Sequence, residues 1–338
     1  MSDIRRCFSA CAVALVAFLV QLAPVSAADK VRVSLADTSD PAYLPFFVAI
    51  DKGYYRDLGL DVDVVYVGGG VATRALLAGS LEFSTSTGSA VSAILKGAAL
   101  KVVMTLTDRV PWKLWATGPQ TKSLQDLQGK SVGIQSHGDL FEMSMRTVLR
   151  QAGMDGDAVR YAQLGFGSGA RIAAIEQGLL SAVMLTNLEE RIVRERGALG
   201  KAHILVDISH TIRAPNNGLV ASDRLIASNP SVVERMVRGT LMAMQYIRTQ
   251  RAGALRIYAA HAPDLSPAVL RGSLDETAAT YLDAGEAAKP VLDTDIAVRS
   301  SIVDVKPGAV PSSEQVYDYA LVRQAAARLR ADRWQPAE

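Results

Sequence analysis

From residue 31 onward, short runs rich in β-branched and aromatic residues alternate with longer stretches whose apolar positions recur every three or four residues. VRVSLA (31–36), VDVVYV (62–67), EFSTS (82–86) and KVVMTL (101–106) have the length and composition of strands. LPFFVAIDKGYY, VATRALLAGS and GSAVSAILKGA, lying between them, carry helical spacing with a glycine near each end. Strands that alternate with helices pair through parallel crossovers, which predicts an α/β lobe. A second series follows the turn-rich WATGPQTKSLQDLQGK. It runs strand SVGIQ, helix LFEMSMRTVLRQAG, strand VRYAQL, helix ARIAAIEQG, strand SAVMLT, helix LEERIVRERG and strand HILVDIS. NGLVAS (217–222) is expected to return the chain to the first lobe. The remainder is mainly helical, opening with NPSVVERMVRGTLMAMQYIRTQ, whose Met236, Met242 and Met244 suit core filling.

The two series share a local repeat. ALLAGSLEF (75–83) aligns with AIEQGLLSA (174–182): in both, a helix ends at glycine and the chain turns into a strand. A glycine-rich loop precedes each helix, GGGVA (68–72) in one case and GFGSGA (165–170) in the other. With 338 residues the chain exceeds one ordinary core, and two lobes are expected with function between them.

The first 27 residues change the setting. Arg5 and Arg6 precede an apolar run from Phe8 to Val20, and small residues surround Ala27, the pattern of a secretory signal peptide cut after Ala27. Both cysteines, Cys7 and Cys11, fall in that segment, so neither a disulfide nor a thiol nucleophile is expected in the mature chain. Loss of Arg5, Arg6 and Asp3 takes the formal charge from +2 to +1. That balance, with no Lys/Arg block, argues against a nucleic-acid or membrane-surface partner.

GFGSGA also fits GxGxxG/A, the dinucleotide fingerprint, with Glu189 or Glu190 at the spacing of a ribose-binding acid. The fingerprint needs a cytoplasmic cofactor and an opening position in the fold, and an exported chain supplies neither. Glycines at strand-to-helix turns serve equally for tight backbone geometry. Gly129-Lys130-Ser131 lacks the first glycine of a phosphate loop, and Ser136-His137-Gly138-Asp139 sets a triad's residue types side by side, where a helix cap is the simpler reading. His137, His203, His210 and His261 show no metal spacing. No catalytic or metal set emerges, and no cofactor is called for. What remains is a series of small polar turns after strands: Thr38-Ser39, Ser86-Thr87-Gly88, Ser136-His137 and Gly167-Ser168. Exposed N–H groups and helix dipoles at such turns suit an anion or polar ligand.

Tyr43 to Tyr55 (YLPFFVAIDKGYY), Leu58 to Val62 (LGLDV), Gly68-Gly69-Gly70 with ALLAG, and LQDLQGKSVG (124–133) resemble the periplasmic solute-binding proteins of ABC importers for nitrate, sulfonate, taurine and thiamine pyrimidines. The resemblance implies a type II-like, two-lobed α/β periplasmic binding protein, each lobe a mainly parallel sheet flanked by helices, joined by a two-strand hinge. One lobe would be 28–117 plus 222–338 and the other 118–221, with the hinge near Thr117 and Asn217. It further implies a periplasmic, non-enzymatic, monomeric protein that closes on a small polar or anionic solute and delivers it to an inner-membrane permease with its cytoplasmic ATPase. Carried over by position, Thr38, Ser39, Tyr43, Ser86, Thr87 and Gly88 would face solute from the first lobe. Ser136, His137, Gly167, Ser168, Thr186 and Asn187 would face it from the second. Tyr43 and Trp112 would cover an organic body, Arg109 and Arg171 are candidates to pair a carboxylate or sulfonate, and a side chain at Gly167 is expected to block solute. A pyrimidine-forming enzyme on the same fold and a solute-sensing module for a membrane receptor are the alternatives.

Overall fold

The computed structural model describes residues 28–337, so the expected signal peptide at 1–27 lies outside the described residues. The strands are β1 (Asp29–Leu35), β2 (Leu60–Tyr66), β3 (Phe83–Ser84), β4 (Leu100–Arg109), β5 (Trp112–Ala116), β6 (Ser131–Ile134), β7 (Arg160–Gln163), β8 (Ala182–Thr186), β9 (His203–Asp207) and β10 (Arg213–Ser222). They form two five-stranded sheets, ordered β2-β1-β3-β10-β4 and β7-β6-β8-β5-β9. In the first, β1 pairs in parallel with β2 and β3, and β10 lies antiparallel between β3 and β4. In the second, β6 pairs in parallel with β7 and β8, and β5 lies antiparallel between β8 and β9. Each sheet therefore has one reversed strand among four that share a direction. Helices between the parallel strands cover the faces, and the most enclosed strands are mainly apolar: every residue of β8 is buried, and β4 is buried from Val102 to Asp108.

The two sheets have the same order of connection, and the repeat read from the sequence falls at equivalent places. GGGVA follows β2 and GFGSGA follows β7, each opening a helix, Gly69–Leu77 and Ser168–Gln177. The long helix Pro230–Thr249 packs on Leu44–Asp51 and on the C-terminal helix Ala320–Ala331. Met236, Met242 and Met244 are buried in that core.

The lobes exchange chain earlier than the sequence suggested. β5 already belongs to the second sheet, so the outward crossing is Val110-Pro111, and the return lies between Asp207 and Arg213, with β10 wholly in the first sheet. Gly118-Pro119 follows β5 at its far end, and Pro215 to Asn217 lie within β10. The expected limits at 117/118 and 221/222 thus cut across the observed sheets. The reason is that WKLWA continues the apolar run of β4 after only the Val110-Pro111 break, which conceals the change of sheet.

The helices after β10 do not stay on the first lobe alone. Val269 is buried in a cluster with Ile172, Leu188 and Ile192 of the second lobe, and Val298 and Ile302 pack against the other second-lobe cluster around Phe141. No helix among the described residues is long and apolar enough to cross a membrane.

Candidate functional site

A cavity of about 50 Å³ lies between the lobes, enough for a few water molecules. From the first lobe it is lined by Asp40 and Tyr43, by Thr85 to Ser89, and by Asn216 and Asn217 of β10. From the second come Trp112, Gln135, Asp139, Leu140, Phe166 and Thr186.

Local chemistry positions these groups. Asp40 precedes Pro41 and caps the short turn Pro41–Tyr43, its Oδ1 accepting from the Ala42 N–H at 2.9 Å. Ser86 Oγ accepts from Gly69 N–H at 2.8 Å, which ties the turn after β3 to the glycine loop after β2. Asp139 caps the helix Leu140–Gln151, with Oδ1 on Glu142 N–H and Oδ2 on Ser136 N–H, both at 2.9 Å. Thr186 forms a capping box with Glu189 at the start of Asn187–Glu195. With Thr87–Ile94, three helices begin at residues on or beside the cavity wall, so the wall carries partial positive charge.

Two carboxyl groups oppose that charge. Burial pushes Asp40 up to about 7 and Asp139 up to about 7, against the hydrogen bonds that favour their ionised forms. The Asp37 and Glu189 carboxylates raise Asp40 further, and Arg171 pulls it back; Arg299 does the same for Asp139. Burial also drives the Tyr43 hydroxyl well above its ordinary value. Trp112 meets Phe141 edge-on at 4.2 Å and 86°, which fixes the indole as a wall of the cavity.

Of the residues expected at the site, Tyr43, Ser86, Thr87, Gly88, Trp112 and Thr186 line this cavity. The others stand elsewhere. Thr38 is exposed. Ser39 turns back to Asp37, both its N–H and Oγ reaching Oδ1 at 2.8 Å. Ser136 gives its N–H to Asp139, and its hydroxyl meets the His137 carbonyl at 3.5 Å. His137 is exposed, with Nδ1 3.4 Å from Glu142 Oε2. Asn187 is buried but occupied, donating to Ser273 O and Thr277 Oγ1 at 3.1 Å each. Ser168 faces the opposite lobe, with Oγ 3.3 Å from Asp37 Oδ2. Gly167 is exposed and does not line the cavity, and an added β-carbon would meet nothing within 4 Å.

Neither arginine candidate lines the cavity. Arg109 is exposed beside Asp108. Arg171 is 2% exposed and holds the buried Glu189, with Nη1 on Gly165 O at 2.7 Å and Nη2 on Phe166 O at 3.3 Å. Glu189, one of the two acids offered for a ribose, is therefore engaged in a buried ion pair, and the arginine that holds it closes the GFGSGA loop from behind. Asp40, Gln135, Asp139, Phe166 and the Asn216-Asn217 pair escaped the sequence reading. The one signal available was Asn217, a residue that tolerates the left-handed conformation it takes here, φ 48°.

Residues 40–254 match the family described as NMT1/THI5 like. The riboflavin-binding protein RibY of Chloroflexus aurantiacus is 29% identical over 221 residues, a match spanning 64% of this chain and 61% of that protein. Among solved structures, the alkanesulfonate-binding protein SsuA of Xanthomonas axonopodis pv. citri, bound to MOPS, superposes with a TM-score of 0.69 at 18% identity, over 86% of this chain and 98% of that one. The periplasmic nitrate-binding protein NrtA of Synechocystis PCC 6803 gives 0.71 at 12% identity, over 92% of each. The structural matches share the two-lobed fold described above, and the family match reaches from the Asp40 turn through both crossings and the whole of the long helix Pro230–Thr249: the chain belongs to the NMT1/THI5-like family.

Proposed function

We propose that this chain is a periplasmic solute receptor of an ABC importer, which takes a small organic solute between its lobes and delivers it to a permease. The observation that carries the reading is the cavity itself, to which each lobe contributes one carboxyl group, Asp40 and Asp139, and aromatic surface, Tyr43 on one side and Trp112 and Phe166 on the other. Two carboxyls poised near neutrality are acceptors for N–H groups when ionised and donors when protonated. Aromatic walls cover a flat body. An uncharged ring bearing N–H donors and carbonyl acceptors fits that set better than the sulfonate-like anion the sequence suggested, since no unengaged arginine lines the cavity among the described residues. A riboflavin binder among the relatives is consistent with a solute of that class.

A second reading has its own support. Three helix N-termini at the wall favour an anionic head, and an anion would be received with Asp40 and Asp139 protonated. A thermal-shift panel separates the two. Flavins and aminopyrimidines are expected to raise the midpoint, since a solute at 1,000 times its Kd adds ~4 kcal/mol to the folded state. Response to alkanesulfonates or nitrate alone would replace the first reading with the second. Turnover of any panel member would overturn both in favour of an enzyme.

A further inference from the structure

The Ser136 to Asp139 turn belongs to the second lobe, yet its central carbonyl is held by the first. Gly138 takes φ 77°, a conformation natural to glycine. Its oxygen accepts from Ser92 Oγ at 2.9 Å and from Arg299 Nη1 at 3.3 Å. Ser92 stands on the helix Thr87–Ile94 and Arg299 on Lys289–Ile302, so both lone pairs of one carbonyl are used by two different elements of the opposite lobe. The same Nη1 also donates to Gly88 O at 3.2 Å. Gly88 and Asp139, the neighbour of Gly138, line the cavity from opposite sides.

The guanidinium is built for placement. Arg299 is 2% exposed, and its Nε is held between both oxygens of Asp295 at 2.9 and 3.0 Å, while Tyr317 OH donates to Asp295 Oδ2 at 2.7 Å. Nη2 is buried and has no hydrogen-bond partner among the described residues. An ion pair this deep gives little net stability, because desolvation offsets the attraction. Its geometric consequence is specific: an ideal β-carbon on Gly88 would sit 3.3 Å from Nη2 and 3.4 Å from Leu140 N, so Gly88, Arg299 and the second lobe's helix N-terminus meet at van der Waals distance.

We propose that Arg299 is the positioning residue of the cleft: it clamps the Gly88 and Gly138 carbonyls together and, with Ser92, sets how far apart the two walls of the solute cavity stand. The solute-receptor reading gives this clamp its purpose, but the clamp can be tested without any solute, so the two fail separately.

Amide hydrogen exchange is measured on the full chain and on its Arg299→Lys and Ser92→Ala variants. Lysine keeps the charge and loses the planar fork that lets Asp295 hold Nε while Nη1 reaches both carbonyls. Exchange of the amides from 137 to 141 and from 86 to 90 is expected to rise about tenfold in each variant, corresponding to ~1.4 kcal/mol of opening, with β4 and β8 unchanged. Unchanged exchange at both turns, or uniform acceleration reaching β4 and β8, overturns the proposal. A second measurement uses the 3.7 Å between Ser92 Cβ and an ideal Gly138 β-carbon, a separation suited to a disulfide. In Ser92→Cys/Gly138→Cys, air oxidation is expected to link the lobes, identified as a 92–138 peptide pair, several-fold faster with Arg299 than with Arg299→Met. Equal rates overturn the proposal.

Discussion

The ring of Phe166 occupies the space that a β-carbon on Gly69 would need, its Cε2 standing 2.5 Å from that position. The two glycine-rich loops, one after the edge strand β2 and one after the edge strand β7, therefore meet across the cleft. Gly69 also has φ 58°, where an L side chain costs ~1–2 kcal/mol. Gly69→Ala is expected to lower stability by about that amount and to weaken solute binding about tenfold or more by holding the lobes apart, which titration calorimetry will read. Adding Phe166→Ala should restore part of the affinity and none of the stability.

Gly88→Val tests the same closeness at the other end of the cavity. A branched side chain there meets Leu140 N across the cleft and the buried Arg299 within its own lobe, so small-angle scattering should show a larger radius of gyration with saturating solute, and the overpacking should lower stability by about 1–3 kcal/mol. Gly167→Val is the control, because its side chain enters open space. Affinity within roughly twofold of the parent is expected, as for an exposed substitution.

Arg171 and Glu189 are 2% and 0% exposed, with Arg171 Nη2 2.5 Å from Glu189 Oε1. Arg171→Met leaves a buried carboxylate without its partner and should cost about 3–5 kcal/mol in urea denaturation, whereas Arg171→Met with Glu189→Met should cost less. A loss of affinity with stability intact would instead make Arg171 a solute ligand.

Stability should depend on pH through the two cavity carboxyls. Folded, Asp40 and Asp139 titrate at about 7; unfolded, aspartate titrates at about 3.9. Between those values the folded chain holds protons that the unfolded chain has released, so their contribution is complete below about 4 and is lost as pH rises through about 7. Asp37, Glu189 and Arg171 act on Asp40, and Arg299 and Glu142 on Asp139. The thermal midpoint is expected to fall between about pH 4 and pH 7 and to level off above that, and Asp40→Asn with Asp139→Asn should flatten the fall.

Legibility followed locality. The alternation of KVVMTL with helical stretches records burial of whole faces, so the α/β lobes and the glycine repeat could be read directly. Turns that must be small and polar to start a helix, such as Ser86-Thr87-Gly88 and Thr186, also pointed to the cavity. What failed was anything set by the meeting of distant segments. Thr38, Ser136 and His137 have the same composition as the turns that line the site, and only the direction of each side chain separates them. Asp139 was legible as a cap but not as a cavity wall, because a cap and a buried acid look alike in sequence. Arg299 follows Asp295 by one helical turn, an ordinary surface pair by spacing, and only packing of that helix against both lobes buries it.

The placement of β10 has a bearing on how the chain acquires its shape. The second lobe, residues 110–212, is continuous, and all five of its strands precede β10. The first lobe cannot finish its sheet until residues 213–222 insert between β3 and β4, a pairing separated by more than a hundred residues from its partner strand β4. Such distant pairing forms slowly. As the polypeptide emerges, the inserted lobe can finish its sheet, though not yet receive Val269, Val298 and Ile302, while its host still has a gap inside its own sheet, and the last strand to arrive is the one that carries Asn216 and Asn217 to the cavity.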